Sequence, residues 1–465
     1  MRICLAAFGR VQVALCVGLL VGCGGGGYGG GGSSNPPATL TISVEPTTIT
    51  LGQSATVTWT TNGATCTASG AWSGTRAASG SESVSPTEAG TYTYTLLCSG
   101  GGYGESQVTS ATLTVNPASG FTKTLLVSSF AGSAALTTDS KLVNPRGIAF
   151  PPGAPVRVVN SRASTVYDGN GKAQSPPRAL APRESASTTD ITFDPTGIVV
   201  NTTSDFVIKV NGKAGATEFI YADRGGMIGA WSPAVERAKA VTMYADTDGA
   251  VYMGLAVTSN GSDNFLYATD FHNNKINVFD ANFTPQTPSA VRFRFSDPTL
   301  PTGYAPFGIQ AINNGVAGST QIYVTYARQI SPDDHDAASG AGLGLVNVFD
   351  ASGKLLRHLV PAGGALNAPW GIALAPADFG TLSNALLIGN SGDGKINAYD
   401  PASGMFIGRV SDTDARPIAT PGLWGIAFGN DSNNQPRNTL FFAAGTDEAD
   451  GTYGRIDLGA MSPTL

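Results

Sequence analysis

The chain has 465 residues, enough for two or three domains with cores of their own. It carries 60 Gly and 28 Pro but only 13% charged residues, which argues against long amphipathic helices and for short strands joined by turns. With 27 basic and 33 acidic residues the formal charge is −6, and no Lys/Arg cluster relieves it, so a nucleic-acid partner is set aside.

Residues 1–22 read as an export signal. Arg2 and Arg10 supply the basic start, and residues 11–21 form an uncharged, mostly apolar run too short to span a bilayer. The run ends Leu20-Val21-Gly22-Cys23, which resembles the bacterial lipobox. The resemblance implies cleavage before Cys23 and a diacylglycerol on its sulfur; the alternative is an ordinary signal peptide with a chance cysteine. Loss of Arg2 and Arg10 would leave a formal charge of −8. Gly24 stands where many lipoproteins held at the inner membrane carry Asp. The membrane is therefore an expected partner, and the outer membrane the expected address in a Gram-negative cell. Residues 23–36 are the lipidated cysteine and a Gly-rich tether with a mean reach of roughly 20 Å.

Residues 37–117 alternate strand-like runs with turn signals, at 40–44, 54–60, 90–98 and 108–115. Side chains alternate in Ala55-Thr56-Val57-Thr58-Trp59 and in Thr91-Tyr92-Thr93-Tyr94-Thr95-Leu96, so one face is wet and one buried. About seven short strands in this length predict a β-sandwich. Cys4 and Cys16 would leave with the signal, and Cys23 would carry lipid. Cys66 and Cys98 remain, and an oxidising compartment pairs them. The stretches around Cys66 and Cys98 resemble bacterial Ig-like modules of cell-envelope proteins, which implies a spacer or weak adhesion unit. Trp72, in a Gly/Ser-rich stretch, is read either as a cap on the core or as a sugar-stacking residue.

From residue 121 to 461 a short motif recurs: a turn residue, one variable residue, Gly, then apolar residues. Its glycines are Gly147, Gly197, Gly254, Gly308, Gly371 and Gly425, spaced by 50, 57, 54, 63 and 54 residues. Six such repeats predict a β-propeller with four-stranded blades. An α/β barrel would need a helix of ten or more residues in each repeat, and none is visible. Second strands are expected at 156–160, 219–223, 265–270, 321–326, 385–390 and 440–445. Third strands are expected at 164–168, 227–231, 275–280, 344–350, 395–400 and 453–457, and fourth strands at 241–244, 292–295, 355–359 and 406–410. Residues 123–127 lack a partner of their own and are predicted to close the ring on the C-terminal blade. The recurring Gly marks a place where a Cβ would clash near the axis. Four stretches, Leu142 to Phe150, Pro195 to Val200, Ala268 to Asp280 and Asp333 to Gly344, resemble a bacterial propeller family related to NHL-type six-bladed propellers. That resemblance implies the fold and no reaction. The fold class is thus all-β, an Ig-like β-sandwich followed by a six-bladed β-propeller.

Chemistry is sparse. His272, His335 and His358 are the only histidines. His272, in Asp270-Phe271-His272-Asn273-Asn274, is either a channel-mouth ligand or general base or an ordinary turn residue. Asp333, Asp334, His335 and Asp336 form an acidic loop that could take Ca2+ or another divalent metal, or stay a solvated loop. Ends of the second strands, Asn160, Asp223, Asp270, Tyr326, Asn390 and Asp447, are expected around the central channel. Metal-dependent lactonase-like propellers place Glu, Asp and Asn there, but this set has no Glu. The leading expectation is an envelope-anchored, non-enzymatic module that binds a protein, glycan or other ligand. The rival is a metal-dependent hydrolase or lactonase.

Overall fold

The computed structural model describes residues 39–50, 54–62, 65–86, 90–99, 106–116, 120–161, 163–179, 193–237, 239–289, 291–313, 320–446 and 450–459. The proposed signal, Cys23 and the tether lie outside these residues. The only helix among them is the 3-10 turn Gly380–Leu382, and no helix there is long and apolar enough to cross a membrane. The chain divides into two compact units.

In the first unit, Ala55–Thr61 pairs antiparallel with Leu40–Glu45 on one side and Ser79–Val84 on the other. Ala55, Val57, Trp59 and Thr61 are buried while the threonines between them are exposed, the alternation read from the sequence. A second sheet runs in the order Thr48–Thr50, Gln107–Asn116, Gly90–Ser99, Thr65–Gly70, Gly74–Arg76. Cys66 and Cys98 stand opposite each other in its register and are joined by a disulfide. Trp72 is only 7% exposed. Its ring meets Trp59 and Tyr94 edge-on, its indole N–H donates to Thr95 O at 3.1 Å, and the Arg76 guanidinium lies 4.7 Å from its centroid. Its faces and its polar edge are occupied, so of the two readings the core cap holds.

The second unit is propeller-like. Six sheets, counted among the described residues, follow one another in chain order. Their innermost strands are Ile148–Ala149, Pro195–Val200, Tyr252–Ser259, Tyr304–Asn313, Pro369–Leu374 and Leu423–Phe428. Each touches the next, and the last returns to the first. The last sheet is completed by Phe121–Ser128, paired antiparallel with Thr452–Leu458, the closure expected from the unpartnered 123–127 segment. Closure leaves no open edge between first and last sheets.

Apolar clusters fill the space between adjacent sheets. Second strands such as Val156–Asn160, Phe219–Asp223 and Leu386–Asn390 are therefore buried at every residue, as strands covered on both faces must be. The repeat glycines let these sheets approach. A Cβ on Gly147 would lie 2.7 Å from Thr196 O, on Gly371 2.6 Å from Trp424 O, and on Gly425 2.5 Å from Arg146 O. The glycines serve a contact between adjacent inner strands, backbone against backbone.

Three of the third strands lead into aspartates with a common task. Oδ1 of Asp168, Asp280 and Asp350 each accepts backbone N–H groups two and four residues on, an Asx-type turn that starts the return toward the rim.

The structure departs from the expected strands at three places. Residues 292–295 form no strand, and the third sheet has three strands among the described residues. Phe293 and Phe295 adopt positive φ, and their N–H groups donate to Ser352 O and Gly353 O instead of a ladder. Their rings pack on Phe265, Tyr267 and Phe349, so apolar burial won over strand pairing. The first sheet has the fourth strand expected of a blade, Ala173–Ala179, at a position not read from the sequence, and the second repeat carries an unanticipated extra hairpin, Val207–Val210 with Lys213–Ala216.

Candidate functional site: an axial well with an aromatic floor

Each inner strand pairs on one side only, so its free edge is turned to the axis of the ring. The axis holds a well of about 460 Å³ to which all six inner-strand segments contribute. Its lining includes Ile148, Ile198, Ile312, Ile372 and Ile426, with Phe150 and Phe428; its polar side chains, among the described residues, are those of Thr202 and Gln310. No ionisable side chain is among them. Further along the axis the space narrows to about 40 Å³, lined by the repeat glycines Gly147, Gly197, Gly371 and Gly425 and by Trp370.

The floor is built by residues that directly precede the repeat glycines. The Trp370 indole N–H donates to Met253 O at 3.0 Å, spanning from the fifth sheet to the third. Trp424 meets Trp370 edge-on at 5.6 Å and Phe307 at 5.7 Å. Arg146, 5% exposed, donates to Asp194 Oδ1 at 2.7 Å and sits over Trp424. Met253 and Phe307 belong to an apolar cluster with Phe271 and Ala368. The loop between the second and third strands of the fourth repeat folds across this end. Ala337 packs against the cluster, Gln329 donates to Phe271 O, and Asp336 pairs with Arg224 of the second sheet at 2.7 Å. These floor residues lie in the very motif read for its glycines, where Trp370 and Trp424 were the visible signal.

The residues expected around the channel are elsewhere. Asn160, Asp223, Asp270, Tyr326 and Asn390 end or border second strands and are buried between sheets or beneath turns; none is among the residues lining the well. The reason is geometric: the axis sees the strand before theirs. Asp223 Oδ1 accepts from Met227 N and Oδ2 from Asp194 N. Burial pushes its carboxyl up to about 7, against backbone hydrogen bonds that pull it down. Asp270 accepts from Val251 N and Asn273. Asn390 donates to Ala365 O and Asp393. Tyr326 is embedded in an apolar cluster, and burial raises its hydroxyl. Asp447 lies outside the described residues.

His272 and His335 do meet, edge-on with centroids 4.8 Å apart, and His272 Nδ1 is 3.1 Å from Asp333 O. The acidic loop does not gather its carboxylates: Asp334 accepts from Ser331 Oγ and Asp336 is held by Arg224. Among the described residues no three His, Cys, Asp or Glu side chains stand together as a metal site, so Asp333, Asp334, His335 and Asp336 do not fit a bound Ca2+. His358 Nδ1 lies 3.3 Å from Asp297 Oδ2, far out on a fourth strand.

No protein-family model matches the chain. The chain is 31% identical over 332 residues to the uncharacterised protein R648 of Acanthamoeba polyphaga mimivirus, across 69% of this chain and 76% of that protein. It is 29% identical over 271 residues to the uncharacterised protein L690 of the same virus, across 56% and 67%. Among solved structures, a Bacteroides thetaiotaomicron protein of unknown function aligns over 91% of this chain and 99% of its own, with 12% identity and a TM-score of 0.43. The Dos1 propeller aligns over 73% and 77%, with 10% identity and a TM-score of 0.40.

Proposed function

The chain belongs to the family of the mimivirus protein R648, and from that premise we propose that it works by binding rather than by catalysis, as an envelope-anchored lipoprotein. In this reading Cys23 carries the lipid, the Gly-rich segment is the tether, and residues 37–117 are an Ig-like spacer. The ring is a six-bladed propeller of the NHL type, rigid because it is closed, and it presents a protein, a glycan or a small molecule with a fixed surface.

One observation carries the choice of binding over hydrolysis. The axial well, where a propeller hydrolase would seat its metal and its acid, is lined among the described residues by no carboxylate, imidazole, thiol or amine. General acid–base catalysis needs such a group within hydrogen-bond reach of the reacting atom, and a metal needs several oxygen or nitrogen ligands on facing strands. The buried carboxylate of Asp223 spends both oxygens on backbone N–H groups, and that of Asp270 is held by Val251 N–H, by the Asn273 backbone and side-chain amide, and by Lys275.

Two experiments test the proposal. The mature protein, supplied with Ca2+, Mn2+ or Zn2+, is assayed on lactones and simple esters, and the expected rate is that of buffer with the same metal. Metal-dependent turnover would overturn the binding reading. Labelling of growing cells with radioactive palmitate is expected to mark the protein and to fail in Cys23→Ser; equal labelling of both would remove the anchor.

A further inference from the structure

The well has a chemical character of its own, and we infer that it is a site for a compact, uncharged, largely apolar small molecule. The inference rests on the binding reading and gives it a ligand class. Three features of the well support it. Its volume, about 460 Å³, lies in the range of pockets that hold small molecules. Its far end is sealed: the Trp370–Met253 hydrogen bond and the Trp370, Trp424 and Phe307 rings cross the axis there, so a polypeptide or glycan chain cannot thread through. Its side-chain lining is aliphatic with Phe150 and Phe428, and offers no charge.

These features select the ligand. A carboxylate, phosphate or ammonium drawn into the well would lose hydration and meet no counter-charge. An apolar body covers the half-buried side chains of Phe150, Val200, Val257, Leu374 and Phe428 and releases water from them. Polar atoms are tolerated in small number, because the free inner-strand edges offer backbone N–H and C=O groups and Thr202 and Gln310 add side-chain partners. A neutral molecule with one or two hydrogen-bonding groups therefore fits better than a polyol or an ion.

The test uses two fluorescent probes that differ by one charge, N-phenyl-1-naphthylamine and 1-anilinonaphthalene-8-sulfonate, on the full mature protein. The neutral probe is expected to bind saturably at one site per chain, and the sulfonate at least tenfold more weakly. Ala427→Trp, which fills the lining, is expected to lower the neutral probe's affinity at least tenfold; Ala311→Met makes a smaller intrusion and serves if the tryptophan variant fails to fold. Met405→Ser, at an exposed apolar position on the rim, is expected to change nothing. Equal affinity for both probes, no saturable binding by the folded protein, or binding that survives the filling variants would each overturn the site. Any of those results without metal-dependent turnover would leave the ring a binder that uses another surface, whereas turnover would strike the binding reading itself.

Discussion

Gly371→Ala isolates the contact on which the ring depends. An added Cβ would stand 2.6 Å from Trp424 O and 2.9 Å from Ile426 Cγ1, where ordinary contact starts near 3.4 Å. The obstacle is a backbone carbonyl, so no side chain can swing aside. The strands Pro369–Leu374 and Leu423–Phe428 must separate by about 0.8 Å, and Trp424, part of the floor, moves with its strand. Overpacking of this kind costs about 1–3 kcal/mol. Alanine also restricts the unfolded chain, which returns about 0.4–1 kcal/mol. The net expectation is a loss of about 1–2 kcal/mol. Gly408→Ala is the matched control: it too lies in a strand, Phe406–Arg409, but nothing stands within 4 Å of its added Cβ, so only the favourable part applies. Urea unfolding followed by tryptophan fluorescence should show a lower midpoint for Gly371→Ala and an equal or higher one for Gly408→Ala. A Gly371→Ala midpoint at or above that of the parent would refute the account of the repeat.

Three further outcomes are expected. Replacing Cys66 and Cys98 by serine should destabilise the first unit by roughly 3–4 kcal/mol through the freed 32-residue loop; calorimetric scans showing no lowered transition would contradict this. Asp223 is held near 7 in the folded chain against 3.8 unfolded, so the native state keeps its proton where the unfolded chain has lost it. Its stabilising contribution is complete below about pH 4 and disappears as pH rises through about 7, a swing on the order of 4 kcal/mol. Asp223→Asn, which keeps an acceptor for Met227 N, should flatten the difference in urea midpoint between pH 5 and pH 8; an unchanged difference would show that another group sets it. Deleting residues 121–128 should expose the edge of Thr452–Leu458 and convert a single species into dimers or aggregates on size-exclusion chromatography.

The parts legible in the sequence were those that depend on local pattern. The glycine spacing marked the inner strands, position after each glycine motif marked the second strands, and a lone strand-like segment at 123–127 marked the closure. The misread parts depend on what lies across the fold. Arg292-Phe293-Arg294-Phe295 has strand-like alternation, yet its amides reach a turn some sixty residues on. Asp223 and Asp270 looked like channel ligands because polar residues at strand ends often are; no spacing rule reveals that the preceding strand owns the axis. His272 and His335 meet because one loop crosses two sheets. Trp370 and Trp424 were in plain view, but their convergence requires knowing which way the residue before each glycine faces.

The pairing of Phe121–Ser128 with Thr452–Leu458 also sets an order of events in the life of the molecule. Val127 and Tyr453 are neighbours in space and more than three hundred residues apart along the polypeptide. During synthesis the earlier strand emerges first and, with only the short nearby segment Thr137–Thr138 beside it, waits for its main partner until nearly the whole ring has followed. Native assembly is therefore a late, all-or-nothing event with a long vulnerable interval, in which a protease or a neighbouring copy competes for the waiting strand.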